Sequence, residues 1–348
     1  MHLIEILNMK NNKKIWVIIQ GPIHSPGRNF KTSMNYALNK FKDEKELIVE
    51  FDSKKTILDN IEKMIKMNLN VIYSGWKDDS STMFINNLKK KGVKVILSDP
   101  NKAYSFKKMG DFKRISKNNV IRINNKTKQY YSFLKGLTLV SDNLSESIVI
   151  KIRSDMSLDF ELLVKEILKK EKFIKNKGLI LQYLRKSQIM LNKPTPYFPD
   201  FWFAGNGETL KKIFEDLYYK SISNKHYSNL AHWDIAIATI NYFYPDFRVK
   251  GCYIYEKKYT SISVKKIPKR TILKFKLKYF KELFFKILIF ISLIKPTILV
   301  NLLISKNLIK TGSEKLENSI IWRGDPKKNY LETKYYKKDN KNYFFNSK

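Results

Sequence analysis

The chain has 348 residues, 43% of them hydrophobic and 14% aromatic, and a formal net charge of +35 from 67 basic and 32 acidic side chains. That apolar content excludes global disorder, and the length suits one large domain or two small ones. One cysteine, Cys252, and four histidines, His2, His24, His226 and His232, exclude an internal disulfide framework and leave little for a Cys/His metal centre.

In chain order, Ile15–Gln20 is a continuous apolar run that stops at Gly21-Pro22, the pattern of a strand buried on both faces. The run is too short for the apolar core of a secretory leader, so none is expected. Phe30, Met34, Ala37, Leu38 and Phe41 follow at helical spacing. Ser53 reads as the N-cap of a second helix carrying Ile57, Ile61, Met64 and Ile65. Val71–Ser74 predicts a strand running into Gly75-Trp76, followed by a helix around Thr82–Lys91 and a strand over Val93–Leu97 that Asp99-Pro100 closes. After an irregular stretch, Tyr130–Val140 predicts a helix and Ile148–Ile152 a buried strand ending at Arg153-Ser154-Asp155. Strands alternating with helices predict an α/β fold with a doubly wound, mostly parallel sheet and flanking helices. Residues 1–258 are expected to form one nucleotide-binding type of domain, and 259–348 an appended region.

The appended region begins with a distinctive segment. Ser261–Lys310 carries twelve Lys or Arg and one acid, Glu282, among Phe, Leu and Ile. Its longest uncharged runs, Ile287–Ile294 and Pro296–Ser305, fall well short of the ~20 residues a spanning helix needs. A basic, aliphatic stretch of this kind predicts amphipathic helix lying on an anionic membrane surface; a terminal helix pair packed on the core is the alternative.

Open α/β sheets bind ligands beyond the carboxyl ends of their strands. Here those ends read Gln20-Gly21-Pro22-Ile23-His24-Ser25, Ser74-Gly75-Trp76-Lys77, Ser98-Asp99 and Arg153-Ser154-Asp155. Each sets small or polar residues after an apolar run. Asp155 at a strand end suits one divalent ion bridging the diphosphate of a nucleotide sugar. Arg153 is one of only eight arginines in a lysine-rich chain, and a planar fork suits phosphate or carboxylate. The structural alternative is an Arg–Asp ion pair closing a turn. On the preceding helix, Gln129, Ser132 and Gly136 share a face with Lys135 beside them, within reach of a sugar or phosphate. Asp200-Phe201-Trp202-Phe203-Ala204-Gly205 suits a sugar-stacking wall edged by an acid, or else a buried strand beside a turn. His232-Trp233-Asp234 opens an apolar helix, and Asp234 competes with Asp200 as the general base for an acceptor hydroxyl; the alternative for Asp234 is an acid set against the helix dipole. The chain has no GxxxxGK[ST] loop, HExxH or G-x-S-x-G, which excludes P-loop ATPases, zinc proteases of that type and α/β-hydrolases.

Taken in order, the Gln20-Gly21-Pro22-Ile23 strand end, Ser74-Gly75-Trp76-Lys77, the helix with Asn125, Gln129, Ser132, Gly136 and Leu137, Lys151-Ile152-Arg153-Ser154-Asp155, and Asp200-x-Trp202-Phe203-x-Gly205 resemble the WavE lipopolysaccharide-synthesis family over residues 14–245. That family is similar to GT-A glycosyltransferases. The resemblance implies a GT-A-like fold and a nucleotide-sugar donor. It also implies an acceptor on a lipid-linked glycan of lipopolysaccharide, lipooligosaccharide or capsule, with the enzyme on the cytoplasmic side, peripheral on the inner membrane. It sets Arg153-Ser154-Asp155 in the place of an Asp-x-Asp motif for Mg²⁺ or Mn²⁺, with Arg153 where the first acid would stand. It points to Asp234 as the base. The expected donor site is Gln20, Gly21, Pro22, Trp76, Gln129, Lys135, Arg153 and Asp155, with Asp155 the metal ligand; Asp200, Trp202 and Gly205 face the acceptor. A catalytically inactive scaffold of polysaccharide assembly and a basic nucleic-acid-binding protein are the rival readings. The aliphatic character of the most basic stretch argues against nucleic acid.

Overall fold

The computed structural model describes residues 14–29, 47–77, 82–99, 113–115, 121–123, 125–182, 201–222, 231–243, 249–254, 260–264, 307–322 and 333–337. The helix expected over Phe30–Phe41 and the basic stretch of residues 265–306 lie outside these residues.

Strand β1 (Ile15–Gln20) is buried along its whole length, so both of its faces are covered. After β2 (His24–Asn29) and β3 (Leu47–Asp52), helix α1 (Lys54–Lys66) buries Ile57, Asn60, Ile61 and Met64. Ser53 occupies the cap position, but its hydroxyl makes no capping bond. Asp52 serves instead: its Oδ1 accepts from Lys54 N at 2.9 Å, an acid at the positive end of the helix. The chain continues through β4 (Asn70–Trp76), α2 (Thr82–Lys90), β5 (Lys94–Ser98), β6 (Lys113–Ile115) and β7 (Ile121–Ile123). Helix α3 (Asn125–Leu137) starts five residues earlier than the apolar pattern indicates, because its first turn is polar. Strand β8 (Ile148–Arg153) leads through a turn into β9 (Met156–Ser157). In α4 (Phe160–Lys169) the buried residues Phe160, Leu163, Val164 and Ile167 fall at i, i+3, i+4 and i+7, and the Asp159 side chain caps Leu162 N at 2.9 Å. Burial of each such side chain contributes about 1.5–3 kcal/mol.

The second half comprises α5 (Glu171–Lys175), β10 (Leu179–Leu181), β11 (Trp202–Asn206), α6 (Gly207–Ile222), α7 (Ala231–Phe243), β12 (Val249–Ile254), β13 (Thr260–Val264), β14 (Ile309–Thr311), α8 (Glu314–Asn318), β15 (Ile321–Trp322) and β16 (Thr333–Lys337). Seven strands form the main sheet in the order β14-β10-β11-β8-β1-β4-β5. Every neighbouring pair is parallel except β8–β11 and β11–β10, so β11 alone runs backwards. This is the α/β class expected: a mostly parallel, doubly wound sheet with flanking helices. One face packs on α3, α6 and α7 through Tyr130, Phe133, Phe214 and Ile235. The other packs on α1, α2 and α4 through Ile61, Leu88 and Leu163.

The boundary expected at 258/259 does not separate the end of the described chain from the core. Strand β14 pairs in parallel with β10, and Ile309, Leu316 and Ile320 are buried. Ser313 N donates to Glu166 Oε2 at 3.0 Å, and Lys170 Nζ to the Thr311 carbonyl at 3.0 Å, so α4 anchors this return. β15 pairs with β9, and β16 adds an edge to a three-stranded sheet with β3 and β2. Residues 309–322 are therefore part of the same domain as β1. Among the described residues no helix is long and apolar enough to cross a membrane.

Candidate active site at the carboxyl edge of the sheet

The chain builds the sheet outward from β1 in two directions: through β4 to β5 on one side, then through β8 on the other. The reversal places a switch point between β1 and β8, where open α/β sheets bind ligands at the strands' carboxyl ends. The residues paired there are Gln20 and Arg153.

Gln20 is 5% exposed and points to the α3 face of the sheet, as alternation with Trp16 and Ile18 requires. Its Nε2 donates to Ser132 Oγ at 2.7 Å and to the Gln129 carbonyl at 3.3 Å. A carbonyl only accepts, which fixes the amide orientation and leaves Oε1 buried with no hydrogen-bond partner. Ser74 Oγ donates to the Ser132 carbonyl at 2.6 Å, so one turn of α3 is tied to both β1 and β4. Gly136 permits this approach: a Cβ there would lie 2.8 Å from Ile18 Cγ2.

Beyond Gln20 the chain turns at Gly21 with φ +140°, a region that favours glycine. The two strand ends are clamped together. Ser154 N donates to the Gln20 carbonyl at 3.0 Å, Ser154 Oγ to the Pro22 carbonyl at 2.7 Å, and Gly21 N to the Ser74 carbonyl at 3.2 Å. Tyr73 OH reaches the Gly21 carbonyl at 3.0 Å. On the far side of Asp155, β9 pairs with β15, and Asn60 Nδ2 donates to the Met156 carbonyl at 2.7 Å.

Between these anchors, Arg153 and Asp155 form a two-pronged ion pair. Nε donates to Oδ1 at 2.8 Å and Nη2 to Oδ2 at 2.7 Å. The Asp155 side chain is 5% exposed and that of Arg153 24%. The guanidinium lies 5.2 Å from the centre of the Phe201 ring, and Arg153 N donates to the Phe201 carbonyl at 3.1 Å. One residue pair deeper on the same face, Lys151 is 1% exposed with Nζ 5.4 Å from the Phe203 ring centre.

No family model matches this chain, and no curated protein matches it. Three solved structures are similar in part. The galactosyltransferase LgtC, in complex with donor and acceptor sugar analogues, is 12% identical over 66% of this chain and 70% of its own, with a TM-score of 0.32. Mouse xyloside xylosyltransferase 1 is 11% identical over 67% and 82%, with a TM-score of 0.34. The glucosyl-3-phosphoglycerate synthase of Mycobacterium tuberculosis, in complex with phosphoglyceric acid, is 12% identical over 63% and 70%, with a TM-score of 0.28. The main sheet of this chain is seven-stranded and mostly parallel, with helices on both faces.

The structure brings together Gln20, Gly21, Pro22, Gln129, Arg153 and Asp155, with Trp76 next along the edge, where β4 ends. It separates the others. Lys135 lies about 1.7 turns further along α3 than Gln129, with Nζ 5.5 Å from the Tyr131 ring centre. The Tyr131 ring lies 5.5 Å from that of Tyr218 on α6; burial, and then the Asp99 carboxylate, push its phenol above the usual range. Lys135 lies nearly two full turns beyond Lys128, on the same helix face but about 10 Å further along the axis from the carboxyl edge. Lys128 was not singled out by sequence reasoning, yet its Nζ is 5.8 Å from the Trp76 ring centre at the carboxyl edge. Its signal was its i, i+4 spacing from Ser132, one helical turn away.

Trp202 and Gly205 do not form an acceptor wall. β11 is an interior strand between β8 and β10, and Trp202 is 1% exposed in the core. A Cβ on Gly312 would lie 2.7 Å from Trp202 Cζ2, so the indole is closely covered. Gly205 pairs with Val149, four residues back along β8 from the site and packed against Leu179 and Leu210. The next residue, Asn206, caps α6 by accepting from Glu208 N at 3.0 Å and Thr209 N at 3.3 Å. Asp234 lies in the first turn of α7, 2% exposed, and its Oδ2 accepts from Tyr130 OH at 3.2 Å. On α3 the Gln129 backbone carbonyl thus meets Gln20, and the Tyr130 hydroxyl meets Asp234. Asp200 lies outside the described residues, as do the side chains of His232 and Trp233.

Asp155 was expected to hold a divalent ion. As arranged, both carboxylate oxygens accept from Arg153. Among the described residues no group of three or more His, Cys, Asp or Glu is placed to hold a metal. With both oxygens engaged by Arg153, the donor set among the described residues does not fit a divalent ion.

Proposed function

We propose that the chain is a glycosyltransferase that moves a sugar from a nucleotide-sugar donor to a hydroxyl of a lipid-linked surface glycan. The observation that supports it best is the pairing of Gln20 with Arg153 at the β1/β8 switch point, a buried acceptor oxygen beside a cation that is largely buried but reaches solvent. In this reading Gln20, Gly21, Pro22 and Trp76 hold the nucleoside and Arg153 meets the diphosphate. The bond from the anomeric carbon to the diphosphate oxygen breaks, the acceptor oxygen bonds to that carbon, and the nucleoside diphosphate leaves. Asp234 is the proposed base for the acceptor proton, and Asp200, next in sequence to Phe201, its competitor. The basic stretch of Ser261–Lys310 would hold the enzyme at an anionic bilayer beside its acceptor.

The test is calorimetry with UDP, GDP and CMP, followed by a screen of their sugar conjugates for slow hydrolysis. The expected result is saturable binding of one nucleotide and release of the same nucleotide from its sugar. Binding without hydrolysis or transfer would favour an inactive scaffold, the reading that the Arg153–Asp155 pair keeps in play. Binding of none, with steeply salt-dependent retention of DNA, would replace it with the nucleic-acid reading.

A further inference from the structure

We infer that Arg153, and not a divalent ion, is the positive group that meets the donor diphosphate, and that Asp155 is the positioning residue that aims it. This inference rests on the transferase reading and specifies its chemistry.

The first ground is what Asp155 offers. A magnesium ion needs carboxylate oxygens free to enter a near-octahedral shell at about 2.0–2.1 Å. Both Asp155 oxygens are engaged by one guanidinium, 2.7 and 2.8 Å away, in a side chain only 5% exposed. A metal entering there would have to displace Arg153 and then sit beside it, cation against cation. The residue that would supply the second acid is Arg153 itself.

The second ground is how Arg153 is held. Three contacts fix it: the Asp155 fork sets one edge of the guanidinium, the guanidinium carbon lies 5.2 Å from the centre of the Phe201 ring, and its backbone N–H is bonded to the Phe201 carbonyl. The following residue is pinned to β1 through Ser154 N and the Gln20 carbonyl. A long side chain loses little further freedom on binding when it is ordered beforehand. Arg153 is nonetheless 24% exposed, so the ordered group reaches solvent at the switch point. Lys128, by the Trp76 ring, sets a second cation along the same edge. In a chain with eight arginines among 67 basic residues, a buried carboxylate has been committed to orienting one of them.

The probe is inorganic pyrophosphate, titrated by calorimetry into the full chain at moderate salt, once with EDTA and once as the preformed magnesium complex. The expected result is binding in EDTA, with an affinity that magnesium changes by less than about threefold. R153Q is expected to lose at least tenfold. R153D, which restores an acid pair, is expected to bind only the magnesium complex. The ¹⁵N spectrum supplies a readout that general loss of structure does not imitate. The Arg153 Nε–H resonance, assigned by its disappearance in R153Q, should be protected from exchange, shift with pyrophosphate in EDTA, and lose protection in D155N while the backbone spectrum stays dispersed. A tenfold gain from magnesium in the wild type, or R153Q binding as well as wild type, overturns the inference and leaves the transferase reading standing. Failure of pyrophosphate to bind in either form overturns both.

Discussion

The clamp between the β1 and β8 ends makes a quantitative prediction about Gly21. Substitution to alanine meets two separate obstacles. The backbone at φ +140° is one that side chains rarely adopt, which costs about 1–3 kcal/mol. The new methyl would also overlap Ser154 Oγ, whereas the next atoms, Ser154 Cβ and N, lie at 3.4 and 3.6 Å. Overpacking of that kind costs about 1–3 kcal/mol, so G21A should lose roughly 2–6 kcal/mol in all. S154A alone removes one hydrogen bond, to the Pro22 carbonyl, at about 0.5–1.5 kcal/mol. In the double variant the overlap disappears but the backbone strain stays. The double variant should therefore be less destabilised than the sum of the singles by about 1–3 kcal/mol. Urea unfolding of the four proteins measures this. Additivity within about 0.5 kcal/mol would refute the claim that these two residues meet at the strand ends.

Two further predictions concern residues on either side of the site. Trp202 is read as core, so W202A should cost about 3–5 kcal/mol in urea unfolding; a loss under about 1 kcal/mol is what an exposed stacking residue would show, and would return Trp202 to the acceptor wall. Burial, then the neighbouring Tyr131 and Tyr219, push the Tyr218 phenol up to about 12 from 10.0. Between those values the unfolded chain has released a proton that the folded one keeps, so this contribution to stability is whole below pH 10 and falls as pH rises toward 12. The wild type should lose of the order of 2 kcal/mol over that range beyond what Y218F loses. Equal slopes for the two proteins would contradict it.

The sequence was most legible where one segment carries its own pattern. Ile15–Gln20 is apolar on both faces because helices cover both, and Phe160, Leu163, Val164 and Ile167 lie on one stripe. The strands β10 and β14 are three residues each, too short for a periodicity, and they are strands only because each is paired with a neighbour distant in sequence. That is why the end of the chain was read as an appendage when it closes the sheet. The polar strand ends were legible for the same reason as β1: an apolar run that stops at Gln20 or Ile152 marks the sheet's edge. What they do there was not. Aromatic content does not distinguish Trp202, sealed under Gly312, from Phe201, whose ring meets Arg153. Nor does composition say that of Lys128 and Lys135, on one face of α3, the first lies by Trp76 at the carboxyl edge and the second by Tyr131.

The Arg153–Asp155 pair is hard to account for as a device of stability. An ion pair taken out of water recovers its desolvation cost only with good geometry, and well-packed apolar replacements are often neutral or stabilising. Closing the turn does not need it either, because Ser154 already ties the β8 end to Gln20 and Pro22, and β9 is held by Asn60 and β15. By contrast, the amino edge of the sheet shows what this chain does with charges that have no task there: Lys14 and Glu146 meet at 3.4 Å with both side chains more than half exposed. At the carboxyl edge the fold instead buries a carboxylate to hold one guanidinium that is about a quarter exposed at the switch point, beside a glutamine whose own acceptor is left without a partner. An oriented cation and an unused acceptor on adjacent strands are what a ligand with a negative group and a nearby N–H or O–H donor would complete, and a nucleoside diphosphate carries both.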